Sequence, residues 1–225
     1  MLGEDPDGLS PQDARLVEFA RALTGRPWTV GPADIDGLVA VGLSDTAIRQ
    51  AIGLVAMFNY LTRVADGTGI EADFGEVLPT FVYRGLKDAV ERPKPAEWPS
   101  VDGSLEGLGL SPDARANWGR WRDYVLQSPE PISPTVRGQL RAIAARNACD
   151  SSVPQSSGAL AAPLADFAEK LSRTPWLVTS SDVETLRDTG LDDRAILHVI
   201  AVVAYQSAES RMRIGLSALA RAGTG

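Results

Sequence analysis

The sequence is short of the residues that build most covalent and metal sites. Among its 225 residues there is one cysteine, Cys149, and one histidine, His198. A single cysteine rules out an intramolecular disulfide and is typical of a reducing compartment, so we expect a cytoplasmic protein. One cysteine and one histidine also fall short of the three or four clustered ligands of a transition-metal site. We therefore expect neither a metal nor a cofactor.

The chain also lacks an excess of positive charge and a long apolar run. Its formal net charge is −7, whereas proteins that bind nucleic acid or anionic membranes carry an excess of lysine and arginine. The longest apolar stretches, such as 196–205, fall far short of the roughly 20 residues that cross a bilayer. We expect neither nucleic acid nor a membrane as a partner.

Sustained alternation of apolar and polar residues, the pattern of a half-buried strand, is missing as well. Apolar residues recur at helical spacing instead, which predicts an all-α protein. An acidic tail over 1–9 is expected to be disordered, and a proline-rich connector over 76–132 is expected to hold short helices. One connector helix, from Asp113 to Gln127, carries Trp118, Trp121 and Val125 in a stripe that we expect to face the core. The other predicted helices cover about 11–25, 33–41, 45–61, 135–147, 165–172, 182–188 and 193–214.

One stretch of the sequence occurs twice. Residues 16–67 and 164–215 align without a gap at an offset of 148, and 19 of the 52 aligned positions are identical. The identical pairs include Pro27/Pro175, Trp28/Trp176, Gly42/Gly190 and Arg63/Arg211. Such a match predicts a duplicated module, with a partial copy over 10–75 and a second copy over 133–225.

Arg63 and Arg211 are the best-retained polar pair, and each stands on an otherwise apolar helix. An arginine in such a place usually binds the carbonyl groups of a helix end or a buried carboxylate, which is the interpretation we favour. The functional alternative is contact with an anionic ligand or another subunit. Asn59 lies one turn before Arg63 on the same face and shares both interpretations.

The segment Ala56-Met-Phe-Asn-Tyr-Leu-Thr-Arg63, which follows Gly42-Leu-Ser-Asp-Thr-Ala-Ile48, resembles the alkylhydroperoxidase D and carboxymuconolactone decarboxylase-like family. The second copy is similar to this family through 167–176 and the segment Gly190-Leu-Asp-Asp-Arg-Ala-Ile196. The resemblance covers most of 14–72 and 133–215. It implies a helical bundle, a peroxidase-type oxidoreductase and a homo-oligomer.

Family members of the peroxidase type carry Cys-x-x-Cys-x-x-x-His with a glutamate about a dozen residues upstream. One thiolate attacks the peroxide, the second thiol resolves the sulfenic acid, and the histidine and glutamate move the proton. The resemblance places Cys149 at the first cysteine, Ser152 at the second, Ser156 at the histidine and Arg137, or Gln139, at the glutamate. Three of four groups are replaced, which predicts that peroxidase activity is weakened or lost.

Three hypotheses follow from this site. In the first, Cys149 reduces hydroperoxides and an external thiol donor resolves its sulfenic acid. Arg146 or Arg137 would favour the thiolate, whereas the carboxyl end of a helix and Asp150 would disfavour the thiolate. In the second, the protein is a non-catalytic helical scaffold or binding protein. In the third, His198 and scattered carboxylates perform acid/base chemistry like that of the decarboxylase branch, which the residues support least.

Overall fold

A computed structural model describes residues 8–70, 91–154, 156 and 158–223. Within these ranges the regular elements are helices and no strand is present, which confirms the all-α prediction. The predicted acidic tail (1–7 of it) and the connector as far as residue 90 lie outside the described residues. The described part of the chain holds eight α-helices: α1 (Pro11–Gly25), α2 (Pro32–Ala40), α3 (Asp45–Thr68), α4 (Pro112–Gln127), α5 (Pro134–Ala148), α6 (Ala162–Arg173), α7 (Ser180–Asp188) and α8 (Asp193–Ala222).

The elements of the two repeats correspond at the offset of the sequence repeat. We call α1–α3 the N-module and α6–α8 the C-module. In each module a 3₁₀ turn, Pro27–Thr29 or Pro175–Leu177, follows the first helix. The second helix of each module is followed by a glycine with positive φ, 91° at Gly42 and 90° at Gly190. The common origin of the modules stays a prediction, and their elements recur as that prediction requires.

Local sequence signals place the helix ends. Ser10 and Ser44 accept a hydrogen bond from the backbone N–H three residues later, and Asp192 does the same for α8. These side chains satisfy amide groups that have no partner inside the helix. Only a residue that tolerates a left-handed conformation fits after α2 and α7, which explains why Gly42 and Gly190 are retained.

Helices α3 and α8 run antiparallel and form the most extensive contact between any two of these eight helices. Two equivalent contacts, each between a glycine of one helix and an isoleucine of the other, bring the two helices close together. A Cβ added to Gly215 would lie 3.0 Å from Ile52, and a Cβ added to Gly67 would lie 3.0 Å from Ile200. Since 52 and 200, like 67 and 215, are 148 residues apart, the two modules pack through equivalent residues, as around a twofold axis.

The helices between the modules cover the C-module. Helix α5 packs against α8, and α4 contacts both of them. Val125 of α4 is fully buried, as predicted, and Trp118 packs against Tyr205 at 5.5 Å. The prediction that Trp121 faces the core is wrong, because its side chain is 38% exposed and packs edge-on against Tyr60 of α3. A helical apolar stripe alone does not distinguish a core from a surface patch.

None of the helices in the described ranges is both long enough and apolar enough to cross a membrane.

Candidate functional site

Cys149 caps the carboxyl end of α5. Its φ of 55° and ψ of 38° are left-handed, which is unusual for a residue with a side chain. Its backbone N–H donates to the carbonyl of Arg146 at 3.1 Å, and that of Asp150 donates to Ala145 at 3.0 Å. The residue thus occupies the position that glycine usually takes in this motif. Its side chain is 1% exposed.

The electrostatic environment keeps the Cys149 thiol protonated. Burial raises its pKa from 9.0 to about 11, and the opposing positive charge of Arg92 does not compensate. The carboxyl end of a helix carries partial negative charge, which disfavours a thiolate further. Because a thiol attacks peroxide only as the thiolate, this environment is unlike that of a reactive cysteine.

Neither serine of the motif takes the place of the missing thiol or histidine. Ser152 donates its hydroxyl to Asp150 Oδ1 at 2.6 Å, and its backbone N–H donates to the same oxygen at 2.9 Å. This local turn orders the chain after Cys149. Asp150 itself is fully buried, and its Oδ2 has no hydrogen-bond partner among the described residues. Ser156 is exposed, and both of its sequence neighbours lie outside the described residues.

Arg137, at the expected glutamate position, is buried in the contact between α5 and α8. It donates to the carbonyl of Ile132 at 3.1 Å, and its Nη2 lies 3.3 Å from His198 Nε2. His198 Nε2 also lies 3.0 Å from the carbonyl of Val125, to which a neutral ring donates its proton. Burial, together with the charges of Arg137 and Arg194, lowers the pKa of His198. A guanidinium, which cannot accept a proton, therefore stands where the family chemistry needs a proton acceptor.

The other candidate for the glutamate position, Gln139, is also buried. Among the described residues there is no group of three histidine, cysteine or carboxylate side chains placed to hold a metal ion. Two shallow depressions of about 340 and 270 Å³ lie along α6. Lys170, which lines both depressions, already pairs with Asp182 at 2.7 Å, and Arg173 pairs with Glu169 at 3.2 Å.

A polar network that the sequence did not predict lies beside the cap. Asn147 accepts from Arg92 at 2.6 Å and donates to Glu169 at 2.9 Å and to Ser172 Oγ at 2.6 Å. Burial alone would raise the pKa of Glu169, but hydrogen bonds from Asn147 and Arg173 and the nearby positive charges outweigh it and lower that pKa. The network holds the end of α5 against α6. These residues are scattered through the sequence, so no motif reveals them.

Arg63 and Arg211 bind the modules to each other. Arg211 donates from Nε and Nη2 to the carbonyl of Thr24, at 3.1 and 2.7 Å, near the end of α1. Arg63 donates from Nη2 to the carbonyl of Ser172, at 2.8 Å, near the end of α6. Thr24 and Ser172 are themselves 148 residues apart. Each arginine thus reaches from the long helix of its own module to the first helix of the other module.

This exchange confirms the interpretation that these arginines bind helix-end carbonyl groups. Carbonyl groups at a helix end carry partial negative charge, which stabilises a buried guanidinium. Burial lowers the pKa of Arg63 to about 10, so the group stays charged at neutral pH, and burial together with Arg63 lowers that of Arg211. Asn59 accepts from Arg63 at 2.8 Å and donates to Thr24 Oγ1 at 3.0 Å. Asn59 therefore belongs to the same contact.

Comparisons of the chain with family models, curated proteins and solved structures give no match. The alkylhydroperoxidase D-like membership therefore stays a prediction from the sequence motifs.

Proposed function

We propose that the protein is a non-catalytic helical scaffold or binding protein of the alkylhydroperoxidase D-like type, in which the position of the reactive cysteine has become a structural cap. The position of Cys149 supports the proposal most: a buried thiol in a left-handed turn at the carboxyl end of α5. A reactive cysteine needs the opposite environment, which is exposed and electropositive.

The replaced partners support the same proposal. A one-cysteine peroxidase would need a stabilised thiolate and access for the peroxide and the external thiol, whereas the Cys149 side chain is nearly inaccessible. Acid/base chemistry would need a histidine free to exchange its proton, whereas Nε2 of His198 is held at the carbonyl of Val125. In the same proposal the protein is cytoplasmic and forms a homo-oligomer, as the lone cysteine and the family resemblance imply.

A hydroperoxide assay tests the proposal. We expect no consumption of hydrogen peroxide or of an organic hydroperoxide above the buffer rate, with a generic dithiol as electron donor, for the wild type and for Cys149→Ser alike. The reason is that the wild-type thiol stays protonated and buried. Circular dichroism of the variant shows whether it is folded. Turnover by the wild type that disappears in Cys149→Ser would establish a one-cysteine peroxidase and overturn the proposal.

A further inference from the structure

Helix α3 presents an apolar stripe to the surface. Leu54, Met57, Phe58 and Leu61 follow one another at helical spacing, and each side chain is between 42% and 58% exposed. Apolar residues with this spacing normally face a core. Single exposed apolar residues need no explanation, but four in one stripe form a contiguous patch.

The equivalent face of α8 shows what such a stripe does in this fold. The four counterparts, at 202, 205, 206 and 209, are buried. Arg141 of α5 donates to Gln206 at 2.8 Å and lies 3.8 Å from Glu209, while Trp118 of α4 packs against Tyr205. In the C-module this face is therefore a packing surface for other helices. In the described part of the chain, nothing covers the stripe on α3 to a comparable extent.

The stripe continues onto α4. Tyr60, which lies one turn after Met57, packs edge-on against Trp121 at 6.3 Å between ring centroids, and Tyr124 stacks on Trp121 at 5.6 Å. Trp121 and Tyr124 are 38% and 48% exposed. We call the six exposed side chains the α3–α4 patch: Leu54, Met57, Phe58, Leu61, Trp121 and Tyr124.

The size of the α3–α4 patch matches one side of a stable protein interface. Six large side chains at about half exposure present on the order of 600 Å² of mostly apolar surface. A standard interface buries about 800 Å² on each partner, and about 65% of its core or of a homodimer interface is apolar. The patch therefore supplies about the apolar area that a homodimer needs.

The charge distribution favours a second copy of the same chain. The exposed residues of α3 between Gln50 and Thr62 are all uncharged, although the chain as a whole carries a net charge of −7. Two copies repel each other over most of their surface, but they bring no like charges together along this stripe. A twofold contact pairs one surface with itself, so the uncharged apolar stripe of α3 is self-complementary.

We infer that the α3–α4 patch is the contact surface of a twofold homodimer, in which the α3 stripe of one copy packs on the same stripe of its partner. The inference rests on the homo-oligomer in the proposed function, but not on the state of Cys149. The hydroperoxide assay tests Cys149 and the experiment below tests this surface, so either proposal can be overturned without the other.

Sedimentation velocity of the full chain tests the inference. We expect the wild type to sediment as a dimer, twice the 23.9 kDa of the chain, over concentrations from about 1 to 100 μM. Phe58→Asp places a carboxylate from each copy in the contact and should raise the dissociation constant by at least about 100-fold. The matched control is Leu197→Asp on α8, which is 54% exposed and lies outside the patch. This control should remain a dimer.

Two outcomes of the sedimentation experiment would overturn the inference. A wild type that is monomeric over the whole concentration range shows that no second copy binds, and loss of stability in monomeric Phe58→Asp would then show that the chain itself covers the patch. A dimer that Phe58→Asp leaves intact shows that another surface holds the copies together.

Salt gives a second readout, because screening reduces the repulsion between two negative chains. The dissociation constant should stay constant or fall as salt is raised, and dissociation by salt would contradict an apolar contact.

Discussion

Replacing Arg211 with alanine is expected to lower the free energy of unfolding by about 3 kcal/mol. The variant loses three hydrogen bonds, two to the carbonyl of Thr24 in the other module and one to the carbonyl of Ser207. It also leaves a cavity between α8 and α1, since the side chain of Arg211 is buried. Urea denaturation followed by circular dichroism measures the loss.

Removal of a buried charge also has a stabilising effect, which must be weighed against this loss. Arg211 is desolvated, and the positive charge of Arg63 lowers its pKa further, so its deletion relieves both penalties. The loss of the hydrogen bonds is expected to have the larger effect, because the Thr24 carbonyl is left without its guanidinium partner. Arg211→Met separates the effect of the cavity from that of the lost hydrogen bonds, since methionine fills much of the space of arginine but has no hydrogen-bond donor. We expect this variant to remain about 2 kcal/mol less stable than the wild type.

The control for Arg211 is an arginine with partners on the surface only. Arg187 pairs with Glu184 and Asp193, and its side chain is 43% exposed. Arg187→Ala should leave the free energy of unfolding almost unchanged, because surface ion pairs contribute little to stability. If Arg211→Met were as stable as the wild type, the carbonyl contacts would not hold the modules together, and the cost of desolvating the guanidinium would cancel their benefit.

Replacing Gly215 with leucine is expected to lower the free energy of unfolding by about 2 to 3 kcal/mol. Even a Cβ at this position would lie 3.0 Å from Ile52, so the longer side chain must push α3 and α8 apart. The better helix propensity of leucine offsets only about 1 kcal/mol of this effect. Thermal and urea denaturation both report the change.

A matched helical glycine and a compensating variant complete this experiment. A Cβ added to Gly119 of α4 would meet no atom within 4 Å, and Gly119→Leu should keep or slightly increase stability. In Gly215→Leu, the second substitution Ile52→Ala makes room at the crossing and should restore part of the loss, which a double-mutant cycle measures. Independent, additive effects of Gly215→Leu and Ile52→Ala would show that the two residues do not share a tight contact.

The sequence repeat predicted much of the fold, because the residues that fix it are local signals or helical spacings. Gly42 and Gly190 end their helices with the left-handed turn that their position indicates. The repeat also singled out Arg63 and Arg211. It did not show that each arginine reaches the other module, because the acceptors at Thr24 and Ser172 are backbone carbonyls. Every residue carries such a group, so no residue type reveals it.

The position of the candidate site was predictable, but the extent to which Cys149 is buried was not. The sequence placed Cys149 just after a helix, and the structure places it at the carboxyl end of α5. Neither the nearly complete burial of the side chain nor the nearby charge of Arg92, which is distant in sequence, can be read from that position. Trp121 shows the same limit, since its helical stripe indicated a core and the structure exposes it. Burial results from the packing of whole elements, which a single helical pattern does not contain.

The reactivity of the Cys149 thiol tests the central claim, that this residue is a structural cap. We would measure the rate of alkylation by iodoacetamide as a function of pH, for the native protein and for the protein unfolded in denaturant. With the thiol pKa raised from 9.0 to about 11, the native thiolate fraction near neutral pH is about 100-fold lower than the unfolded one, and burial slows the reaction further. The account predicts a native rate at least about 100-fold slower at pH of about 8, still rising at a pH of about 9.5. A native rate equal to or faster than the unfolded one, with a plateau below a pH of about 8, would contradict it and identify a reactive thiolate.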